Sequence, residues 1–291
     1  MMALVHTEAP PIALLPPDAI MNRAAGENFP VASRLLARRQ RDHLLAIYGF
    51  ARLVDDIGDE AAGDRDRLLD ALEGELDRVF GGEPQDPLMR ALAATVRACG
   101  LPRAPLEALI AANRQDQRVH AYNTFAELEA YCALSANPVG RLVLHVFGAA
   151  TPRRVALSDH ICTALQLTEH WQDVAEDLER GRVYVPAEDL RRFDCSAADL
   201  ALRPAPEKVR RLVRYEVNRA REILDAGTPL VGTLRGRPRL AVAAFVAGGR
   251  AALTAIERAG YDVSGGGPRA SGPSRVIALV PILMPARWII R

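Results

Sequence analysis

Apolar residues recur at three- and four-residue spacing through most of residues 31–260, and segments that alternate apolar with polar positions are scarce. That period predicts α-helices near 31–58, 65–79, 87–99, 104–120, 125–148, 153–179, 206–226 and 239–259. Local signals agree with it. "TFAE" at 124–127 reads as a capping box, Thr151 followed by Pro152 as a helix start, and "SAAD" at 196–199 as a further cap. Breaks fall at "GGEPQDP", "RGRP" and "SGGGPRASGPS". The expected organisation is one all-α bundle over 22–263, a disordered leader at 1–21, a linker at 264–274 and an apolar tail at 275–291. No internal repeat is evident.

Two of these helices carry acids where a plain core helix would not. In "ARLVDDIGDE" (51–60), Tyr48, Arg52, Asp55 or Asp56, and Asp59 fall on one stripe, while Ile47, Phe50, Leu53, Val54 and Ile57 form the packing face. In "LQLTEHWQDVAEDLERGRVY" (165–184), Gln166, Glu169, Asp173 and Asp177 form a second stripe between Leu165, Leu167, Trp171, Val174 and Leu178. Like charges at i,i+4 destabilise an isolated helix. Each stripe must face water or an internal polar site, and its repetition in matching apolar context favours a cavity lined by facing carboxylates. Such hard oxygen donors suit Mg²⁺, which takes one or two carboxylates and completes its shell with substrate phosphates. The bound species would then be a diphosphate. No HExxH and no Glu-x-x-His supports zinc or a di-iron centre. Arg52 has two readings, as the ion-pair partner of Asp56 or as a phosphate ligand.

Composition narrows the partners. Across 291 residues, 37 basic residues stand against 36 acidic ones, for a formal net charge of +1. There is no basic surplus of the kind a nucleic-acid binder carries. The four cysteines, Cys99, Cys132, Cys162 and Cys195, form no CxxC pair, which fits a reducing cytoplasm. The first twenty residues lack a basic n-region and are interrupted by prolines, unlike a signal peptide. No run approaches the ~18 apolar residues of a membrane-spanning helix. The tail "RVIALVPILMPARWIIR" has two readings: peripheral membrane contact at the inner face through Arg287, Trp288 and Arg291, or a cover over the bundle. His120, His145, His160 and His170 lack a recognisable dyad and read as structural, and Phe147 and Phe245 as plain core. Asn137-Pro138 followed by Gly140 should kink its helix; Gly140 either admits a long chain beside the backbone or serves helix packing.

"YGFARLVDDIGDE" (48–60) resembles the first aspartate-rich motif of the head-to-head isoprenyl synthases, the squalene and phytoene synthase family, and "LQLTEHWQDVAEDLERGRVYVP" (165–186) resembles the second. The resemblance runs from about residue 22 to 263. "ENFPVAS" (27–33), "YCALSANPVGRLVLHVFG" (131–148) and "VAGGRAALTAIERAGYDV" (246–263) look most like the hopanoid-associated hydroxysqualene synthase branch. It implies an isoprenoid synthase bundle with a central cavity. Asp55, Asp59, Asp173 and Asp177 would hold Mg²⁺, with Asp56 and Glu169 as further ligands. Arg52 would contact diphosphate, and Tyr48, Asn28, Phe29, Tyr131, Gly140, Gln166, Glu169 and Tyr184 would line the substrate pocket.

The implied substrate is a prenyl diphosphate, presqualene or farnesyl diphosphate, and a partner synthase of the same pathway is implied with it. Three positions depart from phytoene and dehydrosqualene synthases. Glu27 and Asn28 replace a Ser/Lys-rich stretch, Glu169 stands where Asn is common, and Gln172 stands where Arg is frequent. Each change removes a cation or adds an acid, as a site for one diphosphate rather than two would require. The expected activity is hydroxysqualene synthesis from presqualene diphosphate and water. The competing readings are head-to-head condensation of two prenyl diphosphates and a non-catalytic assembly protein on the same fold.

Overall fold

In a computed structural model, the protein is described over residues 36–268, together with Ala278 and Ile282. The described chain is all-α, as its periodicity predicts. Four helices build one half: α1 (Arg38–Asp59), α2 (Arg65–Gly81), α3 (Pro87–Cys99) and α4 (Ala104–Asp116). Then come α5 (Phe125–Ser135), α6 (Asn137–Val146), α7 (Pro152–Gln172), α8 (Val174–Glu179), α9 (Ala187–Arg192), α10 (Ala197–Leu200), α11 (Glu207–Gly227), α12 (Leu230–Thr233) and α13 (Gly236–Arg258). Among the described residues there is no strand, only an isolated bridge between Ala121 and Val183 that ties the loop before α5 to the loop after α8.

Helix ends follow local chemistry. Asp86 accepts from the N–H groups of Leu88 and Met89, with Pro87 in the first turn, and Gly100 closes α3 in the left-handed conformation. Thr151 accepts from Arg154 N–H, and Ser196 and Asp199 form a full capping box. At "TFAE", Thr124 caps Glu127 N–H, but the Glu127 carboxylate reaches back one residue further, to Asn123 N–H. Two expected helices are interrupted. The 125–148 segment breaks at Ala136, because Pro138 has no N–H to give the preceding turn; Asn137 at the break accepts from Thr163 Oγ1 at 3.0 Å. The 153–179 segment breaks at Asp173, whose φ of −100° and ψ of 15° end α7 and start α8. The expected helix at 104–120 stops at Asp116, and the short helices α9, α10 and α12 carry too few turns to show a period.

Two buried clusters make the core. One joins α1–α4 through Phe50, Leu69, Leu72, Leu76, Leu92 and Leu106; the other joins α5, α7, α11 and α13 through Leu128, Leu167, Trp171, Val217, Leu224 and Leu253. Truncating any of these leucines to Ala costs about 2–5 kcal/mol. Helix α6 serves both, giving Leu142 and Val146 to the first and Leu144 to the second. The seam between the clusters is where the site lies. Helix α13 is long and apolar enough to cross a bilayer by composition, but most of its apolar stretch is buried here as a core helix. Ser264 is buried, Gly267 lies against Gln172, and Gln172 Nε2 donates to Pro268 O at 2.6 Å, so the stretch expected as a linker begins by docking on the end of α7. The leader 1–21 lies outside the described residues, as does the tail apart from Ala278 and Ile282; Ile282 packs against the second cluster.

A buried ion network fixes α11. Arg219 gives its fork to Asp189 at 2.8 and 3.2 Å, also reaches Glu216 at 3.2 Å and Tyr215 Oη at 2.7 Å, and lies over the Phe125 ring. One cation thus serves two buried acids, and burial pushes Glu216 up to about 8 against the pull of Arg219. Between the unfolded value near 4.5 and 8 the folded protein holds the extra proton, so this group's contribution is present at low pH and lost as pH rises through 8. Glu216→Gln should therefore raise the denaturation midpoint at pH 8.5 and change it little at pH 5. An equal loss at both pH values would contradict this.

Candidate active site

The last turns of α1 present Tyr48, Arg52, Asp55 and Asp59 toward the seam. Asp55 Oδ1 accepts from Asn113 Nδ2 at 3.2 Å. The Asp55 carboxylate opens onto cavity solvent yet is crowded by protein on its other sides, which pushes its pKa to about 6; Asp59 and Asp56 add to the rise, while Asn113 and Arg52 oppose it. Asp56 lines neither chamber and pairs with Arg52 at 2.8 Å, which also approaches Glu60 at 3.5 Å. Of the two readings of Arg52, the ion pair is therefore present. Its side chain still lines the cavity mouth, and its Nε is buried without a hydrogen-bond partner.

The second stripe faces the first. Gln166, Glu169, Asp173 and Asp177 share one cavity with Asp55 and Asp59, and the break at Asp173 turns the last acid onto α8. Burial and the neighbouring Asp173 push Asp177 to about 7, against Arg180 and Arg182. Arg182 crosses the cavity to Asp59 at 2.8 Å. At the back, Tyr131 Oη donates to Asp116 Oδ2 at 2.7 Å, and burial holds Asp116 at about 6 despite that bond. Tyr184 stacks on His170 with ring centroids 3.7 Å apart. His170, read as structural from sequence, lines the cavity: its Nε2 is 3.2 Å from Gln166 Nε2, and burial lowers its pKa to about 3, so it is neutral.

The site has two compartments. The carboxylate chamber holds about 330 Å³ and an apolar chamber about 310 Å³, and Asp55, Leu109, Ser135, Gln166 and Glu169 line both. Tyr48, Val139, Val143, Leu165 and Val242 line the apolar side, as does Phe245, expected as plain core. Gly140 also lies on this wall, but a Cβ there would meet Ser158 Oγ at 2.4 Å and Cys162 Sγ at 2.5 Å, so helix packing explains the glycine. The donor set fits Mg²⁺: carboxylate oxygens predominate, no cysteine lines the acid chamber, and burial holds three of its acids (Asp55, Asp116 and Asp177) above their ordinary range even with Arg52, Arg180 and Arg182 nearby. Among the described residues no three acids converge into a ready cage.

Asn113, Asp116, Arg180 and Arg182 were not singled out from sequence. "AANRQDQ" (111–117) carries Asn113 and Asp116 at i,i+3, a weak signal beside Arg114, which pairs outward with Asp70 and Glu73. Gln172, which stands where Arg is frequent in related synthases, turns its amide to Pro268. Asn28 and Phe29 lie outside the described residues.

An apolar chamber opening onto facing acids within an all-helical bundle suits a long apolar chain joined to an anionic group that a cation bridges to the acids. The chain belongs to the squalene/phytoene synthase family, which it matches over residues 22–275. It is 36% identical over 213 residues to the hydroxysqualene synthase of Rhodopseudomonas palustris, covering 72% of each chain. Identity to the phytoene synthase of Arthrospira platensis is 32% over 252 residues, covering 81% of this chain and 82% of that one. The crystal structure of squalene synthase HpnC from Alicyclobacillus acidocaldarius superposes with a TM-score of 0.79 at 44% identity, covering 84% of this chain and 94% of that one. Enzymes of this family generally use a divalent metal to ionise their diphosphates.

Proposed function

We propose that this protein is a hydroxysqualene synthase, converting presqualene diphosphate and water into hydroxysqualene and diphosphate. The observation that carries the reading is the seam, where Gln166 and Glu169 line both chambers and bring polar groups to the point at which a prenyl chain meets its diphosphate. The family resemblance to hydroxysqualene synthases and to HpnC supports it. Asp55, Asp59, Asp173 and Asp177 would hold Mg²⁺, with Glu169 at the seam as a further donor. The metal supplies Lewis-acid stabilisation of the departing diphosphate.

The chain's own residues do the rest. Arg52, at the mouth of the apolar chamber, and Arg180 and Arg182, in the acid chamber, place cationic donors around the leaving group. Tyr48 and Phe245 give the apolar wall ring faces for the carbocation. The carbon–oxygen bond breaks with its electron pair going to diphosphate, the resulting cyclopropylcarbinyl cation rearranges, and a water oxygen bonds to it as a ring carbon–carbon bond opens to the new double bond, the water losing one proton. Gln166 and Glu169 would orient that water, with the Glu169 carboxylate accepting the proton. No reductant enters this balance.

The alternative, head-to-head condensation of two prenyl diphosphates, is supported by the phytoene synthase relatives. Supplying purified protein with either farnesyl or presqualene diphosphate separates the two. The proposed function predicts turnover of presqualene diphosphate only; efficient consumption of farnesyl diphosphate would favour condensation. The proposed location is cytoplasmic, at the inner membrane face, with the tail as the contact and a partner synthase supplying substrate. Replacing Arg287, Trp288 and Arg291 together by Ser should lower cosedimentation with anionic liposomes, and unchanged binding would remove the tail from that role.

A further inference from the structure

The end of α1 is held to α4 by two amide side chains one helical turn apart. Asn113 is buried, and its Nδ2 donates to Asp55 Oδ1 at 3.2 Å and, more weakly, to Leu109 O at 3.4 Å. Gln117 Nε2 donates to Gly58 O at 2.9 Å and to Asn113 O at 3.1 Å, and its Oε1 accepts from Arg65, which also donates to Asp59 O. The contact depends on Gly58, three residues after Asp55 and on the same helical face. A Cβ at position 58 would lie 2.0 Å from Asn113 Oδ1 and 2.9 Å from its Cγ, so the amide rests directly on the glycine backbone.

We propose that Asn113 is a positioning residue that holds the Asp55 carboxylate toward the cavity as a cation ligand, and that Gly58 is the space it needs to do so. The choice of donor matters. Arg52 is nearby and cationic, and its guanidinium is already paired with Asp56 at 2.8 Å. A carboxylate drawn to Arg52 would be neutralised and turned from the metal. An amide supplies a hydrogen bond without charge, so Asp55 keeps its full attraction for a cation while its orientation is fixed. Gln117 and Arg65 hold the backbone of the same turn, so the direction of Asp55 and the position of Asp59 are set together.

The inference rests on the Mg²⁺–diphosphate reading of the site, and the test separates the two. Mn²⁺ binding to the full chain is measured by electron paramagnetic resonance in the presence of inorganic diphosphate, alongside thermal melting without metal. Asn113→Ala should weaken Mn²⁺ binding about tenfold, the scale for losing an outer-shell partner of a metal ligand, and raise the Mg²⁺ concentration needed for half-maximal turnover by a similar factor. Gly58→Ala, which favours the helix but displaces the amide, should give the same defect. The double variant should be no worse than the poorer single one, because both remove one interaction. Folded Asn113→Ala or Gly58→Ala protein that binds Mn²⁺ as tightly as wild type would overturn the proposal. Failure of the wild type itself to bind Mn²⁺ with diphosphate would overturn the site reading beneath it.

Discussion

Asp55→Asn and Asp173→Asn are each expected to lower turnover by at least about a hundredfold, the scale on which losing one preorganised electrostatic partner acts, while the protein stays folded. The two residues come from opposite stripes and line one chamber. A carboxylate replaced by an amide of the same shape keeps its packing but loses the charge that would hold a cation. Stability should move the other way for Asp55. Its folded pKa of about 6 lies above the usual 3.8, so the folded protein binds the extra proton in that window. This group's contribution is therefore present at low pH and lost as pH rises through 6. Above pH 6 without metal, Asp55→Asn should melt at or above the wild-type temperature, and Mg²⁺ with diphosphate should restore the wild-type advantage. Near-normal activity in both variants, or a wild type indifferent to EDTA, would remove the metal from the account.

The second large effect is on product rather than rate. Glu169 lies on α7 at the seam between the chambers, with Gln166 one turn before it. A cation formed beside acceptors that fix a water is captured by it, whereas in a drier site it loses a proton or awaits hydride. Glu169→Asn keeps a polar side chain but removes the carboxylate proposed to take the proton from the attacking water. A substantial share of the product should move from alcohol to olefin, read by gas chromatography of the extracted lipids. An unchanged alcohol fraction at lower rate would confine Glu169 to binding the metal or diphosphate.

The features that could be read from sequence are those written locally. Helical period, the Pro87, Pro138 and Pro152 positions and the Ser196 cap all depend on residues within one or two turns, and the structure follows them. The acid stripes were legible for the same reason, because carboxylates at i,i+4 conflict with the apolar face around them unless something else requires them. Asn113 and Asp116 were not, because their meaning comes from contacts across the chain: Asn113 meets Asp55 58 positions away, and Asp116 is identified by Tyr131 and by its burial. Side-chain direction was equally hidden. Asp56 and Gln172 sit beside the site in sequence, yet one turns to Arg52 and the other to Pro268. The break at Asp173 has no Pro or Gly to announce it, and it is what carries Asp177 into the chamber.

The most direct measurement is the isotope content of the product formed from presqualene diphosphate and Mg²⁺ in ¹⁸O-labelled water, without any nicotinamide cofactor. Capture of a carbocation by water predicts a C30 alcohol carrying one ¹⁸O, because the carbon–oxygen bond to diphosphate breaks and a new one forms to solvent. An alcohol without the label would mean cleavage at phosphorus, and squalene appearing only on addition of NADPH would mean hydride capture. Either result would contradict the proposed function.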